Sequence, residues 1–230
     1  MTNMRKLTAE MLGTYALVFA GTGAIIVNDV SGGAVSPIGI ALTFGLIVLA
    51  MIYAVGEVSG AHLNPAVTIG FFAAKRISGY QVTGYIISQC AGAILASCTL
   101  QILFPMHGSL GATLPAGTPI QSFLLETILT FLLMFVILSV PCHSRENRHL
   151  APLVVGAVIT LEALFAGPVS GASMNPARSL APAVVSLHFE SLWIYLTAPV
   201  LGASASVLAC RCVQESDCCR PVMSKKETCI

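Results

Sequence analysis

The stretch SGAHLNPAVTIG, residues 59–70, decides how this chain is read, because residues 170–178, SGASMNPAR, write nearly the same phrase again. Both phrases set polar and helix-breaking residues into surroundings that are otherwise apolar. Of the 230 residues, 56% are hydrophobic and 9% are charged. A soluble domain carries about 25% charged residues. With a mean hydropathy of +0.86, the composition predicts a polytopic helical membrane protein. The net charge of +1 says nothing about nucleic acid, but beyond two Arg/Lys pairs and one lysine pair near the end there are no basic runs, so no nucleic-acid partner is expected.

A spanning helix needs about 20 mainly apolar residues. Six stretches qualify, at roughly 7–28, 36–57, 80–103, 121–141, 150–167 and 189–210. The opening MTNMRKLTAEM looks like the start of a signal peptide. Glu10 interrupts its apolar run and no small-residue cleavage site is clear, so a first spanning helix is predicted. Two more apolar stretches, about 64–74 and 175–185, are long enough for only half a crossing, and both begin Asn-Pro-Ala.

The repeat sets the topology. Val58-Ser59-Gly60-Ala61 and Asn64-Pro65-Ala66 recur as Val169-Ser170-Gly171-Ala172 and Asn175-Pro176-Ala177, an offset of 111 residues. Glu10 in the first span has a counterpart in Glu126 of the fourth. Each half then holds three spans and a half-span. Three is odd, so the halves are inverted relative to one another, which places a site near the bilayer midplane at their interface. The expected organisation is a channel domain over 1–210, with repeat 1 at about 7–103 and repeat 2 at about 121–210, and a Cys-containing tail over 211–230.

Charge predicts orientation. Arg5, Lys6, Lys75, Arg76, Arg145, Arg148, Arg211, Arg220, Lys225 and Lys226 all fall on one side of a six-span chain, and the opposite loops near 29–35 and 104–120 hold no Lys or Arg. Both termini are therefore expected in the cytoplasm, in a multi-pass protein of the plasma or inner membrane.

Asn is a favoured N-cap and Pro a favoured first helical residue, so Asn64-Pro65 and Asn175-Pro176 are predicted to start short helices. The residues before them, 59–63 and 170–174, are expected to enter the membrane as extended chain whose carbonyls line a watery cavity, among them those of Gly60, Ala61, His62, Gly171 and Ser173. Two half-helices meeting N-terminus to N-terminus each present about half a positive charge, a barrier to cations and protons. If each Asn oxygen caps its own helix, its NH2 group is left to donate to a passing solute.

The paired phrases HLNPAVT and MNPARS, within six spans, resemble the major intrinsic protein family of aquaporins and aquaglyceroporins over about residues 7–210. The stretch LFAGPVSGASMNPARSL is most similar to the nodulin-type branch and its bacterial relatives. The resemblance implies an all-α right-handed bundle of six spans and two re-entrant half-helices, assembled as a homotetramer with one pore per protomer. It implies pore motifs at Asn64, Pro65, Ala66, Asn175, Pro176 and Ala177, and an outer constriction of Phe44, Ala163, Ala172 and Arg178. It gives Glu10 and Glu126 the task of holding the re-entrant loops.

Some positions depart from the family's patterns. Strict water channels usually have His where this chain has Ala163. Glycerol facilitators usually have Asp where it has Ser179, and they favour a second aromatic in the constriction. The nodulin-type branch often has Trp at the Phe44 position and Val or Ile at the Ala163 position. The two alanines opposite Phe44 argue for solutes larger than water.

The expected function is passive conduction of water and small uncharged solutes such as glycerol, with ions and protons excluded. A channel for undissociated metalloid hydroxides is the alternative. A coupled secondary transporter would need a buried ion site, for which Glu57 and Glu162 are the candidates. His62 is expected to line the inner vestibule through its carbonyl, with a pH-sensing ring as the alternative role. No nucleophile–base set or metal cluster lies in the spans, so neither an enzyme nor a cofactor is expected. Cys90 and Cys98 read as small hydrophobes. Cys210, Cys212, Cys218, Cys219 and Cys229 read as juxtamembrane thiols of a cytoplasmic tail, lipidated or open to soft metals. The final ETCI is not a prenylation signal.

Overall fold

The computed structural model describes residues 3–140 and 150–213. Eight helices follow in chain order among them: α1 Asn3–Val30, α2 Ser36–Ser59, α3 Pro65–Ala73, α4 Gly79–Leu103, α5 Pro119–Ser139, α6 Ala151–Ser170, α7 Pro176–Ser186 and α8 Leu192–Val213. No strand occurs among the described residues. Six of the eight are long and apolar enough to cross a membrane, and α3 and α7, of 9 and 11 residues, are not. Large apolar side chains such as Leu46, Ile87, Leu161 and Leu208 stand exposed on the bundle flanks, where lipid replaces water.

Local chemistry sets the element ends. Proline stands at the start of α2, α3, α5, α6 and α7, where a missing N–H costs nothing. Ser78 and Gln81 form a capping box ahead of α4. Gly60 and Gly171 end α2 and α6 in the left-handed conformation, at φ 91° and 84°. The helices run slightly longer than hydropathy alone predicts, because Ser59 and Ser170 complete α2 and α6 instead of entering the loops.

The two repeats pack alike. α1 lies against α4 and α5 against α8, while α2 and α6 meet across the repeat boundary. Each contact turns on glycine. A Cβ at Gly92 would overlap the Met11 carbonyl, and one at Gly202 would overlap that of Thr127. Gly45 and Gly156 face each other between α2 and α6. Small residues let membrane helices approach closely enough for dispersion to hold them, where no hydrophobic effect does.

Basic residues at one end fasten helix ends together. Arg76 donates to the Leu138 carbonyl at 3.3 Å and Arg211 to the Ala73 carbonyl at 3.4 Å. Cys210, at the predicted end of the sixth span, is not the juxtamembrane tail thiol expected of it. α8 continues through it to Val213, and its thiol is buried with Ala203 and Val207 against α3 and α5. Cys212 is exposed at the end of α8. Arg145, Arg148, Arg220, Lys225, Lys226, Cys218, Cys219 and Cys229 lie outside the described residues.

Candidate functional site

α3 and α7 enter from opposite faces and meet at their N-termini. Asn64 Oδ1 accepts from Ala66 N at 2.8 Å. Asn175 Oδ1 accepts from Ala177 N at 3.0 Å and Arg178 N at 3.3 Å. Each asparagine thus caps its own half-helix, as its position predicts. The amide NH2 groups are not both left to solute, however. Asn64 Nδ2 donates to the Met174 carbonyl at 2.8 Å, and Asn175 Nδ2 donates to the Leu63 carbonyl at 2.9 Å. An amide has two N–H groups, so one remains on each asparagine, and both residues border the lumen.

The re-entrant loops are not extended. Ala61 and Leu63 have φ 46° and 52°, and Ala172 and Met174 have φ 40° and 53°. Left-handed conformations of non-glycine residues persist only where surroundings over-determine them, at a cost of about 1–3 kcal/mol each. The alternating twist turns successive N–H groups away from the lumen and onto one buried carboxyl. Glu10 accepts from His62 N at 2.9 Å, Leu63 N at 2.7 Å, Ser59 Oγ at 2.6 Å and Gln89 Nε2 at 2.7 Å. Glu126 accepts from Ser173 N, Met174 N and Ser170 Oγ, each at 2.8 Å. Both carboxyl groups are fully buried. Tyrosines complete the support: Tyr85 OH donates to the Ser59 carbonyl at 2.6 Å and Tyr195 OH to that of Ser170 at 2.7 Å.

With their N–H groups held from behind, the loops face their other side to a narrow cavity of about 90 Å³ that runs through the bundle. Gly60, Ala61, His62 and Ser173 border it, and Gly171 does not. Gly171 is the turn that closes α6 and packs against Thr113. The opposite wall is apolar, built from Val48, Ile52, Leu133, Val155 and Ile159. The His62 ring is packed aside, stacked on Phe71 at 4.5 Å and edge-on to Tyr85 at 5.0 Å, with Nδ1 3.1 Å from Thr68 Oγ1.

Phe44, Ala163, Ala172 and Arg178 all border the same cavity. Arg178 is buried, its guanidinium 5.4 Å from the centre of the Phe44 ring, and its Nη1 donates to the Gly111 carbonyl at 2.9 Å. Thr113 and Ser173 both hydrogen-bond Ser179, which ties the α4–α5 connection to the second loop. The Phe44 ring rests on Gly21, where an added Cβ would overlap it. Gly21→Ala is therefore expected to push the ring toward the lumen. In a conducting pore that would cut the flux of a larger neutral solute severalfold and that of water less, measured by light scattering in reconstituted vesicles.

Glu57 is exposed at the end of α2 and borders no part of the cavity. Glu162 is buried, outside the cavity lining, and neither of its carboxyl oxygens has a hydrogen-bond partner among the described residues. Sequence reasoning did not find Gln89, Tyr85, Tyr195 or Gly111. The tyrosines carried a signal, since 195 − 85 = 110 nearly repeats the asparagine offset of 175 − 64 = 111. Gly111 carried none.

The family model described as Major intrinsic protein matches residues 1–210. Among curated proteins, the chain is 48% identical over 207 residues to Aquaporin NIP1-1 of Oryza sativa subsp. japonica, covering 90% of this chain and 73% of that one. It is 44% identical over 215 residues to Nodulin-26 of Glycine max, covering 93% and 79%. Among solved structures, the aquaglyceroporin from Plasmodium falciparum superposes with a TM-score of 0.81 at 27% identity, covering 90% of this chain and 95% of that chain.

Proposed function

The chain belongs to the major intrinsic protein family, a family of membrane channels and not of enzymes, and from that premise we propose that it conducts water and small uncharged solutes such as glycerol while turning back ions and protons. The observation that carries this reading is the pair of asparagines at the meeting point of α3 and α7. Each keeps one N–H for the lumen between the positive ends of two half-helices. A water or hydroxyl oxygen seated there accepts from both sides. It must then donate away from the centre in either direction, which interrupts a proton wire without holding the solute.

The walls divide the labour. A polar file of loop carbonyls along one side replaces hydration, and the apolar side opposite offers no competing partner. A solute with hydroxyl groups on one edge and carbon on the other suits both. The constriction of Phe44, Ala163, Ala172 and Arg178 sets size and charge: two methyl-sized side chains leave room beyond a single water, and the guanidinium repels cations. We place the protein in a cell membrane with the basic end of the bundle and both termini on the cytoplasmic side, the channel domain at 1–210 assembled as a homotetramer.

The test is stopped-flow light scattering on reconstituted vesicles, shrinking them in sucrose and re-swelling them in glycerol. Fast water efflux followed by glycerol re-swelling is expected. Water flux without glycerol entry would make the alanine constriction narrower than proposed. Absence of both fluxes in folded protein would overturn the reading.

A further inference from the structure

The connection between α4 and α5 reaches Arg178, which borders the lumen, at Gly111, whose carbonyl is the backbone acceptor for the guanidinium. What positions Gly111 lies a few residues upstream. His107 Nδ1 is 3.0 Å from the Leu110 amide, and His107 Nε2 is 3.2 Å from Asp29 Oδ2 at the end of α1. Leu110 is buried against Ile26 and Leu100 and has φ 50°, and Gly111 follows at φ 71°. Gly111 packs against the Thr22 backbone of α1. Surface pair, imidazole, buried turn and lumen arginine form one connected chain.

The proton positions on this chain follow from its partners. A backbone amide only donates, so Nδ1 facing Leu110 must be bare. The ring hydrogen then sits on Nε2 and points at the Asp29 carboxyl. The neutral imidazole is satisfied at both nitrogens. A second proton has one place to go, Nδ1, where it confronts the Leu110 N–H with two donors and no acceptor. That arrangement breaks the contact that holds the turn. Among the described residues, the titratable or charged groups at this end of the bundle are Asp29 on α1, His107 on this loop, and His188 and Glu190 between α7 and α8. His188 Nδ1 already pairs with Ser186, and Asp29 makes the ion-pair contact to His107.

We propose that His107 is a positioning residue for the constriction: its bare Nδ1 pins Leu110, and through it the Gly111 carbonyl that holds Arg178, and protonation of the ring from the outer medium releases that hold and lowers solute flux. The release frees guanidinium donors that Gly111 now occupies. Beside the Phe44 ring, they turn on the lumen and its solutes. This inference rests on the channel reading above, with Arg178 at its constriction.

The experiment measures glycerol and water flux into vesicles over about pH 8 to 5, the range in which histidine ordinarily changes charge. Wild type should conduct at the alkaline end and lose flux severalfold at the acid end. His107→Asn puts an amide oxygen where Nδ1 stood and cannot titrate, so its flux should stay at the alkaline level throughout. His107→Ala removes the acceptor at every pH and should be low already at the alkaline end. A His107→Asn profile that falls like wild type, or a wild type that is flat, overturns the role of His107 while leaving the channel intact. No flux in wild type at the alkaline end overturns the channel reading itself.

Discussion

Glu126→Gln is expected to close the pore and to destabilise the fold at the same time. The Glu126 carboxyl receives three donors, two from backbone N–H groups of the second loop and one from Ser170. Glutamine offers one oxygen and sets an NH2 group against the Met174 N–H, so a buried donor loses its acceptor. Hydrogen bonds to a charged acceptor contribute about 1.5–3 kcal/mol each, and an orphaned buried donor costs about 1–3 kcal/mol more. That sum is comparable to the strain stored in the left-handed backbone of Ala172 and Met174, which the Glu126 contacts help to hold. The loop relaxes, and Asn175 and Arg178 lose their register. Glycerol and water flux should fall to the background of empty vesicles, with a lowered thermal transition in detergent. Flux equal to wild type would mean that the Tyr195 and Ser170 contacts hold the loop unaided. Glu10→Gln should act alike on the first loop, where Gln89 is a further donor to the same carboxyl.

Arg178→Ala should do the opposite and open the constriction. A fixed guanidinium about 5 Å from a passing monovalent cation, at an effective dielectric near 20, raises its energy by about 3 kcal/mol. Removing it should raise cation leak by roughly two orders of magnitude, because about 1.4 kcal/mol is a factor of ten. The half-helix ends remain as a second barrier, so the leak stays far below the flux of neutral solutes. Glycerol flux should rise relative to water, since Phe44 and small residues alone then frame the opening. Arg178→Lys keeps the charge without the planar fork that serves Gly111 and the lumen together, and should fall between. Sodium uptake and glycerol re-swelling in the same vesicles separate charge from width. An Arg178→Ala protein that stays as cation-tight as wild type would assign ion exclusion to the helix ends alone.

The parts of this site that were legible in the sequence are those where the bilayer makes a residue expensive. A glutamate in an apolar span, an asparagine before a proline at mid-membrane and an arginine beside it each demand a reason, and Glu10, Glu126, Asn64, Asn175 and Arg178 supplied it. The spans were legible for the same reason, to within a few residues at most ends. The loop conformation was not, because hydropathy carries no φ. Nothing in Ala61-His62-Leu63 announces that two of its residues are left-handed, since that twist is imposed by a carboxyl 49 to 53 positions away. Gly111 escaped for a related reason. Its role is a backbone carbonyl, and any residue has one. Cys210 was read as a juxtamembrane thiol because charge follows it closely, while packing against α3 and α5 buries it and keeps the helix going to Val213.

The crossed asparagine contacts carry a consequence for how such a chain is made. Asn64 waits for an acceptor 110 residues downstream, and Leu63 waits for a donor 112 residues downstream. Synthesis therefore delivers the first three spans and α3 long before their loop can be completed. The Glu10 contacts lie wholly within the first half, but the strained turns they hold have no counterpart across the midplane until the second half is made. The last joining step closes a very long chain segment at once, which is slow and all-or-none in character. The two halves are thus assembled as mutual templates: neither finishes its interior until the other has arrived.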